Sequence, residues 1–257
     1  MTIDKASSIF LSRLGTYNGF LFQTSSIFDN ITKNEIEYSA SINKPDFERP
    51  ILGSKLLYRN PLTAKYVFAH TYTVNDKNIE DTLGKLKIQY FNFVIAQCYE
   101  AFETYLKDII SAYLVTLDIS SFSLPKSIDK SNYKICRQTL SEYCYSKNKY
   151  NKKLFQLLYS LSPKIEQTEI NNFLRFDFKE WFVVFTEIRH SIVHSNSKFK
   201  MEKSVHWNKF QNEILTELFL NKSDDKEGNI STLNEYDYII RIIGQHSQII
   251  SDCLMKK

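Results

Sequence analysis

Between residues 187 and 194 the chain reads Glu187-Ile188-Arg189-His190-Ser191-Ile192-Val193-His194. Arginine is a permanent cation whose fork of N–H donors matches phosphate oxygens. Histidine takes or gives a proton near neutral pH. Together they suffice to cut RNA without a metal: one group stabilises charge on the phosphate while the other moves the proton of the 2′-hydroxyl or of the leaving oxygen. The spacing alone is weak. With 7 Arg and 5 His in the chain, about 0.4 Arg–His pairs at this kind of separation are expected by chance, and two occur. The second, Arg241 to His246, has its arginine flanked by Ile239, Ile240, Ile242 and Ile243 and is expected to belong to a core-facing helix surface.

The elements around the first pair set it apart. Phe178, Trp181, Phe182, Phe185, Ile188 and Ile192 recur at helical spacing and mark a buried stripe. Arg189 lies at the edge of that stripe, and Ser195-Asn196-Ser197 then breaks the pattern as at a helix C-terminus. Residues five apart on an ideal helix stand about 140° apart around its axis. Arg189 and His194 therefore converge on one phosphate only if the helix loosens or a second chain contributes. That geometry favours a site shared across a homodimer interface.

Arg189-His190 followed by Ile192-Val193-His194 at the end of an aromatic-rich helix resembles the signature of the HEPN superfamily, an all-helical group of ribonucleases found in toxins, abortive-infection systems and CRISPR effectors. The family pattern is an arginine, a polar residue, a short spacer and a histidine. The resemblance implies catalytic roles for Arg189 and His194 and supporting roles for His190 and for Asn196 in the polar tail. It also suggests an upstream helix with an acidic residue amid aromatics, which Gln97 to Lys107 resembles; there the supporting residue would be Glu103. Read by itself, Glu103 either orients Arg189 or His194 or simply pairs with Lys107, four residues on. The resemblance covers roughly residues 80 to 257 and is absent before about residue 75.

At 257 residues and 43% hydrophobic content, the chain can bury a substantial core. Only 6 Gly and 5 Pro leave few turn residues, which suits long helices better than a many-stranded sheet. The expected fold is mainly α: a HEPN-like helical bundle over residues 79–257, an irregular N-terminal extension over residues 1–78, and a small hairpin near 214–232. Helices are expected from Asp81 to about Leu117, Asn132 to Ser146, Lys152 to Leu161, Asp177 to His194 and Asn234 to Met255. In the extension, Pro45, Pro50 and Pro61 punctuate a loop region, whereas Tyr66-Val67-Phe68 and Thr71 to Val74 have strand-like composition.

Cys98, Cys136, Cys144 and Cys253 show no paired spacing, so they read as reduced, packed thiols rather than zinc ligands. No metal or other cofactor is expected. A net charge of +4 is too small to announce a nucleic-acid binder, so any RNA site must come from local clustering. Lys198, Lys200 and Lys203 follow the motif and serve either as backbone anchors or as ordinary loop lysines. Lys149, Lys152 and Lys153, interleaved with Tyr143, Tyr145 and Tyr150, could hold phosphates and stack bases, or could form a solvated helix junction. His70 and His206 have no partner pattern. Phosphate-binding, dinucleotide, nucleophile-elbow and HExxH motifs are all missing.

The N-terminus lacks a secretory pattern, and no stretch approaches the roughly 20 apolar residues that span a membrane. A cytoplasmic protein without membrane contact is expected. The functional expectation is a metal-independent endoribonuclease leaving 2′,3′-cyclic phosphate and 5′-hydroxyl ends. The resemblance adds a setting of toxin or phage-defence effector, with RNA as substrate and an antitoxin or regulatory protein as partner. The alternative is a non-catalytic HEPN-like module that binds RNA or a partner.

Overall fold

The computed structural model describes residues 1–41, 50–59, 66–75, 79–117, 125, 127–145, 150–171, 177–223 and 227–255. The fold is mainly α, with two small antiparallel sheets among the described residues. The chain divides into two compact units, one made of Met1–Phe20 with Phe91–Lys257 and the other of Leu21–Tyr90.

The N-terminal residues, expected to be irregular, instead form one 39-residue helix, α1 (Ile3–Ser41). No proline interrupts it, and Ala6, Phe10 and Leu14 recur every four residues as its buried face in the larger unit. Exposed Ile9, Leu11, Phe20 and Phe22 interrupt that stripe in sequence and disguise it. Helix α2 (Ile79–Thr116) follows a hairpin of β1 (Pro50–Arg59) and β2 (Tyr66–Asn75), paired antiparallel with an irregularity between Leu56 and Leu57. The strand-like composition at residues 66–74 thus belongs to a real strand. Pro50 stands at the first position of β1, where its missing N–H costs a sheet least; Pro45 and Pro61 lie outside the described residues. The smaller unit has its own core of Ile79 and Leu83 packed by Phe28 and Leu86, with Lys87 ion-paired to Asp29 at 2.7 Å.

In the larger unit α3 (Tyr133–Tyr145), α4 (Tyr150–Leu161), α5 (Pro163–Asn171), α6 (Phe178–His194) and α8 (Tyr236–Met255) surround an aromatic core. Phe102 meets Phe10, Phe178 and Phe182 edge to face, and Phe10 stacks on Tyr105 at 4.7 Å. The Tyr105 hydroxyl donates to the Ser247 carbonyl (2.7 Å), so the one polar atom of this ring is satisfied while buried. Helix α5 opens on Pro163, whose fixed φ suits a first helical position.

Between α6 and α8 lie β3 (Lys198–Lys200), a 3₁₀ turn (Met201–Ser204), the short helix α7 (Lys209–Ile214), a wide π-type turn (Leu215–Phe219), and strands β4 (Leu220–Ser223) and β5 (Glu227–Ile230). The expected hairpin is β4–β5, and β3 extends it on the other side of β5. At Gly228, opposite Phe199, a Cβ would stand 2.7 Å from the Leu220 side chain, so the strands close over a residue without one.

Candidate functional site

Helix α6 begins at Asp177, whose carboxylate accepts from the Glu180 N–H (3.0 Å), an N-cap that fixes where the helix starts. Phe178, Trp181, Phe182, Phe185 and Ile188 are fully or almost fully buried, as the stripe requires. Tyr99 of α2 stacks on Phe182, and its hydroxyl bonds that of Thr186 (3.2 Å), which sets α2 against α6. This packing brings Arg189 to Glu100, and the two form an ion pair between helices. The Arg189 Nε is buried and makes no hydrogen bond, so the guanidinium is held by its Nη2 end.

Glu103, the expected carboxylate, does not fill this role. It pairs with Lys107 on its own helix at 2.7 Å, the i,i+4 arrangement that its sequence context also offered. The acidic residue on Arg189 lies one turn earlier in α2. Sequence reasoning missed Glu100 because two glutamates three apart flank the same stripe, and only the position of α6 decides between them.

Helix α6 stays regular through His194. Arg189 and His194 therefore keep the separation of about 140° expected of an intact helix. The ring that His194 meets is His190, with centroids 4.7 Å apart and planes tilted by 45°. Both histidines are exposed. Partial desolvation, then the charge of Lys203 and the adjacent His194, hold the His190 pKa below its usual value, and Glu187 opposes them in part. His190 is thus held toward its neutral form.

Beyond His194 the helix ends in a tight turn. The Ser195 and Ser197 N–H groups both donate to the Ser191 carbonyl, at 3.0 and 3.1 Å. Asn196 and Ser197 adopt positive φ values of 50° and 61°, which an asparagine tolerates and a serine does so at some cost. Asn196 supports the turn and is exposed. What holds the turn is Asn92 of α2, a residue that sequence reasoning did not single out. Its Nδ2 donates to the Ile230 carbonyl (2.8 Å) and the Ser197 hydroxyl (3.1 Å), and its Oδ1 accepts from the Thr232 N–H (2.9 Å) and hydroxyl (3.1 Å). Asn92 is completely buried. The one visible signal was a lone amide within the apolar run Phe91 to Ile95.

The lysines divide. Lys198 and Lys200 flank buried Phe199 on β3 and face outward, with Lys198 ion-paired to Glu227 at 3.3 Å. Lys203 is ion-paired to Glu187 at 2.9 Å. Lys153 donates to the Tyr143 carbonyl (3.1 Å) and sits over the Tyr143 ring, so it joins α4 to α3 as a packing contact rather than an open phosphate anchor. Lys152 lies in the first turn of α4, and Lys149 lies outside the described residues.

The second Arg–His pair is structural. Arg241 is ion-paired to Asp237 on α8, and His246 is completely buried, stacked on Phe178 at 3.7 Å. Among the described residues, no three His, Cys, Asp or Glu side chains gather as a metal centre, and no helix is long and apolar enough to cross a membrane. Compared with protein-family models, curated proteins and solved structures, the chain matches none.

Proposed function

We propose that this protein is a metal-independent endoribonuclease of HEPN type acting as a homodimer. The observation that carries the reading is the end of α6: Arg189 tethered by Glu100 beside an exposed His190–His194 pair. In the reaction, the 2′-oxygen of a ribose attacks the adjacent phosphorus and the P–O5′ bond breaks. One His194 takes the 2′-hydroxyl proton, and a His194 from the second chain gives a proton to the 5′-oxygen. Arg189 stabilises the pentacoordinate phosphate, a contribution on the order of a few kcal/mol. Two chains facing each other around a two-fold axis bring together the groups that the intact helix keeps apart. Lys200 is exposed, and in this reading it holds the RNA backbone. The setting that the resemblance implies is a cytoplasmic toxin or phage-defence effector restrained by an antitoxin-like partner.

A second reading draws on the same ion pairs. Glu100, Glu187 and Glu227 neutralise Arg189, Lys203 and Lys198, as befits a non-catalytic module that binds RNA or a partner through its remaining surface. Incubation of cellular RNA with the purified full chain in EDTA, wild type beside His194→Ala, separates the two. The catalytic reading expects wild-type cutting to cyclic-phosphate ends and a fall of about a hundredfold or more in the variant. Equal cutting by both proteins, or none by the wild type, removes it.

A further inference from the structure

We propose that His190 and His194 form a two-imidazole clamp for a borderline divalent transition cation such as Ni²⁺, Cu²⁺ or Zn²⁺. Histidines four apart on a helix present their rings on one face, and imidazole nitrogen suits these ions. The distances fit. With a metal–nitrogen bond of about 2.1 Å and a ring centroid about 1.2 Å behind each nitrogen, two imidazoles sharing an ion at about 90–109° have centroids about 4.7–5.4 Å apart. The observed separation is 4.7 Å, and the 45° tilt leaves the rings short of a parallel stack. Both side chains are exposed, so an ion reaches them without opening the fold.

The surroundings set the strength of the clamp. Among the described residues no third ligand is preformed, because Glu187, one turn before His190 on α6, is drawn to Lys203 at 2.9 Å. Two protein ligands with water completing the shell give micromolar rather than nanomolar binding. Releasing Glu187 would supply a third donor and tighten it.

Occupancy has a consequence that rests on the ribonuclease reading. A nitrogen lone pair given to a metal cannot accept the 2′-hydroxyl proton, so the bound ion silences His194. The protein would then be an RNA-cutting enzyme that works without metal and is switched off by one.

The test is calorimetric titration of the EDTA-stripped, dialysed full chain with NiCl₂, beside the His190→Ala, His194→Ala and Lys203→Ala variants, each checked for native helicity by circular dichroism. The clamp predicts one saturable Ni²⁺ per chain, weakened about tenfold or more in each histidine variant. It also predicts tightening in the lysine variant. Absence of saturable binding, or binding unchanged in the two histidine variants, overturns it. RNA cleavage is then measured with and without an equivalent of Ni²⁺. Suppression reversed by EDTA supports the switch; cleavage unaffected at saturating Ni²⁺ overturns it. Binding by a chain that cuts no RNA in EDTA leaves the clamp standing and removes the ribonuclease reading.

Discussion

Replacing Asn92 by alanine should unfasten the turn that follows the motif helix. The side chain makes four hydrogen bonds, two given and two received, from a completely buried position. Two of the partners abandoned, the Ile230 carbonyl and the Thr232 N–H, belong to residues only 2% and 0% exposed, so water does not readily replace the amide. A buried polar group left without its partner costs about 1–3 kcal/mol. Counting those two in full, and treating the Ser197 and Thr232 hydroxyls as free to rotate to other acceptors, gives a loss of about 2–6 kcal/mol. Against a total stability of about 5–15 kcal/mol for a folded domain, that is a large fraction. Urea denaturation followed by circular dichroism, extrapolated linearly to water, measures it. Asn92→Asp separates hydrogen bonding from packing, because it fills the same volume. It keeps both bonds from Thr232 but turns a carboxylate oxygen toward the oxygens of Ser197 and Ile230. A loss below about 1 kcal/mol in the alanine variant, or wild-type stability in the aspartate variant, would refute the role of Asn92 in holding the turn.

Two further outcomes follow from the ion pairs and the buried histidine. Glu100→Gln removes the charge that tethers Arg189 while keeping the side chain's size. The pair is 30% and 41% exposed, so denaturation should show a stability change of no more than about 1 kcal/mol. RNA cleavage in EDTA should fall about tenfold or more as the guanidinium loses its fixed position, and cutting at the wild-type rate would sink that positioning role. For His246, burial depresses the pKa below 6.5, and Glu169 and Asp177 offset it only in part. The unfolded chain then binds a proton that the fold resists, so this group's contribution is complete above about pH 6.5 and declines as the pH falls below that value. Melting at pH 7.5 and 5.5 should show a smaller acid-side drop in His246→Phe than in the wild type; equal drops would mean that His246 does not set it.

Much of the helical layout was legible because apolar stripes at helical spacing are imposed by burial. The expected helices over α2, α3, α4, α6 and α8 lie within a few residues of the observed bounds. Helix α1 escaped because Ile9, Leu11, Phe20 and Phe22 are apolar yet exposed, which blurs the contrast on which periodicity depends. Pro163 lies two residues beyond the expected end of α4 and is the first residue of α5, a position that the ring's fixed φ suits. In the candidate site, the proximity of His190 to His194 was implicit in their spacing. The choice of Glu100 over Glu103, and the reach of Asn92 to residues 197, 230 and 232, depend on which face of α2 meets its neighbours. No local pattern encodes that.

The docking of the first turns of α1 has a consequence for the order in which the protein can be built. The Ser7 hydroxyl donates to that of Ser251 across 244 residues of sequence, and Phe10 stacks on Tyr105, whose own hydroxyl reaches Ser247. A ribosome releases α1 long before it makes α8. Until α8 emerges, Phe10 and Leu14 lack part of the surface that buries them, and the whole of Leu21–Tyr90 must be threaded out in between. Contacts of such long range slow folding, since the intervening chain must be confined before they repay it. The larger unit therefore closes only once α8 is available, and until then the motif helix waits in an unfinished core.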